Sequence, residues 1–300
     1  MSHVAEEISS QPKYWLRASS LLGEYDSVLP RAGERVAVVG CGTSWFMAQS
    51  YAALRESAAQ GQTDAFTPSE MPLGRPYDRV LVITRSGTTT EVLDLLGRVR
   101  GRVPTAAITA TPGTPVVDAA DAVAVLEFAD ERSVVQTRFA TTTLALFRSS
   151  LGHDLAPVAA DARKALEAEP DSQLVRVEQL TFLGRGWTVG LAHEAALKLR
   201  EAAGAWTESY PALEYRHGPI SITGPGRPAW MFGEPPVGLA DDIARTGGTF
   251  VVSELDPMAE LVRAQCVAVE MAAGRGVDPD HPRHLTRSVI LTGSRVVSPQ

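Results

Sequence analysis

Three hundred residues, 44% of them hydrophobic and 21% charged, suffice for a sizeable buried core and set an expectation of two domains of ordinary soluble composition. Twenty-eight Lys and Arg against 35 Asp and Glu leave a net charge of −7, which argues against a phosphate-neutralising nucleic-acid surface. Cys41 and Cys266 are too few for a disulfide framework or a four-Cys zinc site, no run reaches the roughly 18 apolar residues of a membrane helix, and Met1–Glu7 lacks the basic-then-apolar pattern of a secretory signal. These features fit a cytoplasmic protein with no nucleic-acid or membrane partner.

In chain order, the segment up to Leu29 has helical spacing and gives way to a turn at Pro30–Glu34. Val36–Val39 reads as a strand that ends in Gly40-Cys41-Gly42-Thr43-Ser44, ahead of a helix from Trp45 to about Ala59. Val80–Ile83, Thr105–Ile108 and Ala122–Leu126 are further strands, with a helix over Thr90–Val99. A polar helix from about Pro157 to Ala168 leads into a second half that opens as the first does: strand Gln179–Leu183, glycine turn Gly184-Arg185-Gly186, helix from about Leu191 to Ala203. Gly42 and Gly186 stand 144 positions apart, and Ala229–Phe232 and Thr249–Val252 supply later strands. The expected fold is therefore α/β, with two similar doubly wound, flavodoxin-like parallel-sheet units in tandem, residues 1–165 and 166–300.

Glycine turns between strand and helix place backbone N–H groups at the positive end of a helix dipole and favour anions. The dinucleotide fingerprint needs a glycine where Trp45 and Val189 stand, and the nucleotide P-loop needs a Gly-Lys-Ser/Thr ending that neither turn has. Thr84-Arg85-Ser86-Gly87-Thr88-Thr89-Thr90, at the end of the second predicted strand, packs five hydroxyls and one guanidinium into seven residues, a composition suited to an anion cup. Ser133–Arg138 follows the fourth predicted strand along the same sheet edge, where ligands of open parallel sheets bind.

On the helix after Gly186, Glu194, Lys198 and Glu201 share one face. The chain has three lysines, Lys13, Lys164 and Lys198, against 25 arginines, so a lysine flanked by two carboxylates is a candidate for amine or compact-charge chemistry rather than a solvated pair. Glu214-Tyr215-Arg216-His217-Gly218-Pro219 adds a histidine in a constrained turn. No histidine, His281 and His284 included, has partners at metal spacing, and no Gly-x-Ser-x-Gly elbow supports a hydrolase triad.

With these motifs in order, joined by Glu7-Ile8-Ser9-Ser10-Gln11-Pro12 and Pro282-Arg283-His284-Leu285-Thr286-Arg287-Ser288-Val289, the chain resembles the double SIS (sugar isomerase) domain family over nearly its whole length. It is similar to the isomerase half of glucosamine-6-phosphate synthase and to stand-alone phosphosugar isomerases and deaminases. The resemblance implies that Thr84, Ser86 and Thr89 hold a sugar 6-phosphate, with Arg85 where the synthase has glutamine, and that Gly42, Thr43, Ser44, Val134 and Gln136 line the sugar. It further implies that Glu201 moves a proton between C1 and C2 beside Lys198, and that His217 opens the sugar ring from a neighbouring subunit, hence a homodimer; no metal or organic cofactor is implied. Arg287, which the resemblance places among the substrate-binding residues, stands where the synthase has a Schiff-base lysine, and a guanidinium that keeps its proton is a poor imine former. With the first unit beginning so near residue 1, a glutaminase activity is not expected. The expected activity is therefore aldose-ketose isomerisation, deamination or deglycation through an enediolate rather than aminotransfer. The competing expectation is a non-catalytic phosphosugar sensor, which would need neither Glu201 nor His217.

Overall fold

The computed structural model describes residues 2–291. The leading helix α1 (His3–Ser20) starts at Ser2, whose side chain accepts from the Ala5 amide. The apolar run that follows the Pro30 turn forms β1 (Val36–Gly40), then α2 (Thr43–Ser57), β2 (Thr63–Phe66), β3 (Arg79–Ile83), α3 (Thr90–Val99), β4 (Thr105–Thr109), α4 (Pro115–Ala119) and β5 (Ala122–Val125). Helices α5 (Arg138–Ser150), α6 (Ala156–Glu167) and α7 (Ser172–Val175) connect to β6 (Gln179–Gly184), α8 (Thr188–Ala203), β7 (Trp206–Pro211), β8 (Ala229–Met231), α9 (Leu239–Arg245), β9 (Phe250–Val251) and α10 (Pro257–Gly274).

Two parallel sheets result, ordered β2-β1-β3-β4-β5 and β7-β6-β8-β9, so the second repeats the first four positions of the first. The order reverses beside the first strand of each sheet, which opens a crevice at the carboxyl ends. Both expected glycine turns fall at these ends. Helices α2 and α8 begin two to three residues earlier than the apolar pattern predicts, because Thr43, Ser44 and Thr188 are buried in their first turns.

Side chains alternate across each strand. Val36, Val38, Leu81 and Ile83 face inward to a core they share with Trp15, Phe147, Leu191, Phe182, Trp230 and Met271. Ala37, Val39, Val80 and Val82 face outward under Leu95 and Leu96 of α3. Beyond the second sheet, Leu183, Ala229 and Met231 pack on Leu239 and Ile243 of α9. The inner layer is thus made by α1, α2, α5, α6, α8 and α10, sandwiched between the two sheets and belonging to both.

Within that layer α2 and α8 cross at Gly190. A Cβ there would fall on Ser50 Oγ and on the Phe46 carbonyl oxygen, so only glycine lets the two backbones approach this closely. Buried polar pairs tie the remaining helices: Gln11 Nε2 donates to Gln265 Oε1 at 2.6 Å, Trp15 Nε1 to Thr141 Oγ1 at 3.0 Å, and Arg148 reaches the N-cap Asp256 of α10 at 2.7 and 2.8 Å. No helix among the described residues is long and apolar enough to cross a membrane.

Candidate active site

The α2–α8 crossing sets the site. It brings the first turn of α2 against the middle of α8, where Lys198 Nζ donates to Thr43 Oγ1 at 2.9 Å and to Glu201 Oε2 at 2.5 Å. Glu194 Oε1 lies 3.5 Å from the same nitrogen. Lys198 and Glu194 are buried, whereas the Glu201 side chain keeps 19% exposure and is the member of the trio that solvent or a ligand reaches. Gly42 takes φ +53°, a left-handed turn that a side chain would strain, and so delivers Thr43 to this position.

The charges follow from burial. Burial pushes the Glu194 carboxyl up to about 8, with Lys198 opposing and Glu201 reinforcing the shift. Burial by itself lowers the Lys198 ammonium, but the two carboxylates outweigh it and hold it above the ordinary lysine value. The buried Lys198 charge is thus matched by carboxyls on either side along α8, and Glu194 is the one that burial drives toward its protonated form. A carboxyl raised in the fold gives stability that is complete below its unfolded value and fades as pH rises through about 8. Glu194→Gln is expected to flatten that fall in thermal melts between about pH 5 and 9, with little change in melting temperature at the acidic end.

The register Gly40 to Ile83 aligns the carboxyl ends of β1 and β3, so Gly42–Ser44 lies beside Thr84–Thr89. Three hydroxyls converge there on a fourth. Ser288 Oγ lies 3.1 Å from Ser86 Oγ, 2.9 Å from Thr88 Oγ1 and 3.5 Å from Thr89 Oγ1. The Val289 carbonyl accepts from the Thr90 amide at 3.2 Å, on the first turn of α3, and Thr90 Oγ1 accepts from the Leu291 amide at 2.9 Å. Hydroxyls of the Thr84–Thr90 segment thus gather at one spot, here on Ser288 of the C-terminal segment that crosses it.

Arg85 departs from expectation. Its guanidinium is 2% exposed and donates to the backbone carbonyls of Ser133, Val134 and Arg287, not into the cup. The Arg287 side chain also points elsewhere than expected of a substrate ligand, bonding the Glu131 carbonyl and pairing with Asp130 at 2.5 Å. In both cases acceptors from distant parts of the chain, backbone carbonyls for Arg85 and a carbonyl with the Asp130 carboxylate for Arg287, capture the donors first. Thr84 and Ser44 are buried, Gln136 is half-buried, and Gln136 Oε1 has no hydrogen-bond partner among the described residues. His217 sits exposed at the end of a short 3-10 turn (Glu214–Arg216), and its side chain makes no hydrogen bond among the described residues.

Three contributors carried no separate signal in the sequence. Glu7 of α1 accepts from the Arg132 amide at 2.5 Å, the Ser133 amide at 3.2 Å and the Ser133 hydroxyl, fixing the loop that carries Val134 and Gln136. Glu131 Oε1 accepts from the Thr137 and Arg138 amides at 2.6 and 2.7 Å. Ser288 completes the cup. Glu7 and Ser288 lie inside motifs quoted above, but their partners are more than a hundred residues away. Both cysteines are free, and burial pushes each thiol up to about 11. Among the described residues no group of three or more His, Cys, Asp or Glu is placed to hold a metal ion. A cleft of about 730 Å³ at the amino ends of β6 and β7, beside Gln179, Trp206 and Arg227, carries none of these residues.

Residues 30–151 match the SIS domain family, a stretch that holds the whole of the first sheet and the Thr84–Thr90 segment. The chain is 27% identical to a glutamine–fructose-6-phosphate aminotransferase (isomerizing) of Pyrobaculum aerophilum, over 87% of this chain and 52% of the relative. A relative of the same name in Methanothermobacter thermautotrophicus is 26% identical over 95% of this chain and 57% of its own length. The chain thus spans about half the length of the curated relatives it matches. Glucosamine-6-phosphate deaminase from Thermotoga maritima shares the fold with a TM-score of 0.80 at 24% identity, over 97% of this chain and 100% of that one. Tagatose-6-phosphate ketose/aldose isomerase from Escherichia coli does so with a TM-score of 0.78 at 19% identity, over 94% and 98%.

Proposed function

We propose that this chain is a double SIS enzyme, with residues 1–165 and 166–300 as its two units, that isomerises, deaminates or deglycates a sugar 6-phosphate through an enediolate. The observation that carries the reading is the buried Lys198, held between Glu194 and Glu201 and bonded to Thr43 at the edge of a hydroxyl cup. Moving a proton between adjacent carbons of an opened sugar needs a carboxylate that reaches both and a cation that steadies the developing oxyanion. Glu201 has the exposure for the first role and Lys198 the compact charge for the second. Thr84, Ser86 and Thr89 would hold the phosphate, spending remote binding energy on placing C1 and C2 at Glu201. Gly42, Thr43, Ser44, Val134 and Gln136 would line the sugar. His217 would act in the neighbouring subunit of a homodimer, and its exposure without a hydrogen-bond partner among the described residues supports that role. The relatives are named as a glutamine–fructose-6-phosphate aminotransferase (isomerizing), a glucosamine-6-phosphate deaminase and a tagatose-6-phosphate ketose/aldose isomerase, names that share a sugar 6-phosphate or its amino derivative.

A proton NMR time course in D₂O with hexose, hexosamine and fructosamine 6-phosphates tests the reading: deuterium is expected at C1 or C2, with a new ketose or aldose, and loss of nitrogen identifies a deaminase. Line broadening across the panel without exchange would establish a sensor instead. Ser86→Ala is expected to weaken phosphosugar binding by about tenfold, the worth of one hydrogen bond to a charged group, with a smaller change in the rate at saturation. Titration calorimetry against the sugar and its phosphate ester checks this; equal affinity for the two would remove the cup from the binding site.

A further inference from the structure

We propose that Arg85 is a positioning residue, a clasp that couples the seating of the C-terminal segment to the loop carrying Val134 and Gln136. Its own carbonyl is anchored to the end of β4, accepting from the Ala110 amide at 3.1 Å, Thr109 Oγ1 at 3.1 Å and Thr111 Oγ1 at 3.2 Å. From that fixed point Nη1 donates to the Ser133 carbonyl at 2.9 Å, while Nη2 is shared between the Val134 and Arg287 carbonyls at 3.2 Å each. Glu131 Oε2, buried and without a hydrogen-bond partner among the described residues, lies 3.7 Å from Nη1 and balances the charge.

The geometry demands a guanidinium. Only that side chain presents a rigid planar fork able to meet three carbonyls from two segments at once, whereas an ammonium is a point donor and an amide has one donor nitrogen. On the far side of the loop Glu7 takes the donors that Arg85 cannot, the Arg132 and Ser133 amides. The loop is therefore held by its carbonyls from β3 and by its amides from α1. The C-terminal segment hangs on the same guanidinium through Arg287, one residue before Ser288 enters the cup. Releasing either segment strands a buried donor of Arg85, so each stabilises the other. The significance of the coupled loop rests on the functional reading above, because Val134 and Gln136 are assigned there to the sugar.

Hydrogen exchange on the full chain, read at residues 132–136 and 285–291, tests the clasp alongside titration with inorganic phosphate. Arg85→Gln is expected to speed exchange in both segments by about tenfold or more, with phosphate affinity changed by less than about threefold. Arg85→Lys, which keeps the charge and is the milder change should the glutamine variant not fold, is expected to loosen both segments to a smaller extent. Phosphate affinity falling as far as in Ser86→Ala with exchange unchanged would make Arg85 an anion ligand, and loosening of one segment alone would show no coupling; either overturns the proposal. Neither readout needs turnover. A parent chain that processes no phosphosugar, with both segments loosening in Arg85→Gln, would end the functional reading and leave the clasp standing.

Discussion

Lys198→Met is expected to abolish proton transfer and to lower stability by about 3 kcal/mol, toward the small end of what breaking a buried ion pair costs. The reason lies in the partners it leaves behind. Glu194, whose carboxyl burial already pushes up to about 8, loses the cation 3.5 Å away that opposes this shift and is left in the core without that partner. Glu201 loses its cation, but its side chain is 19% exposed and recovers part of its hydration. Thr43 Oγ1 loses a donor and the first turn of α2 its link to α8. Replacing both buried partners, Lys198→Met with Glu194→Leu, is expected to return most of the stability and none of the activity, since a matched apolar pair substitutes for a buried ionic one without penalty. Urea unfolding and deuterium incorporation measured on the same samples separate the two effects. Parental exchange in Lys198→Met would remove the lysine from the mechanism.

Glu201→Gln is expected to slow deuterium incorporation at C1 and C2 by about 10²- to 10⁴-fold, the range for loss of a positioned general base, while leaving phosphosugar affinity within about twofold. The amide keeps the shape of the carboxylate and an oxygen for the Lys198 ammonium, so the α8 geometry survives. What it cannot do is accept the substrate proton. A parental rate would exclude Glu201, and an equal loss of affinity and rate would make it a binding group rather than a base.

The parts legible in the sequence share a physical character. Helix α3 ends where the helical spacing puts it, and the strands of the first sheet follow apolar β-branched runs because both their faces are buried. The edge strands β2 (Thr63-Asp64-Ala65-Phe66) and β7 (Trp206–Pro211) escaped notice, since an edge strand is only partly covered and its sequence is correspondingly polar. Helix α5 contains Thr141-Thr142-Thr143, poor helix formers that only a buried position tolerates. Helix α10 is buried over much of its circumference and so lacks a polar face to mark its period. At the site, Glu194, Lys198 and Glu201 were readable because helical geometry alone joins them. The Thr43 partner was not, because it depends on how α2 crosses α8. The orientation of Arg85 lay further out of reach, being decided by carbonyls 48, 49 and 202 positions away.

The crossing at Gly190 also bears on how a ligand gets in. With α2 and α8 in backbone contact there and one continuous core running under both sheets, the two halves cannot swing apart like jaws without breaking that contact and opening the shared core. The segment over the cup is held differently. Leu285, Val289, Ile290 and Leu291 stay 42% to 64% exposed, and a handful of hydrogen bonds anchor the strip. Of the structures bordering the cup, the strip 285–291 is expected to open most readily, before the crevice beneath changes its shape, and faster hydrogen exchange there than in α2 or α8 would show it.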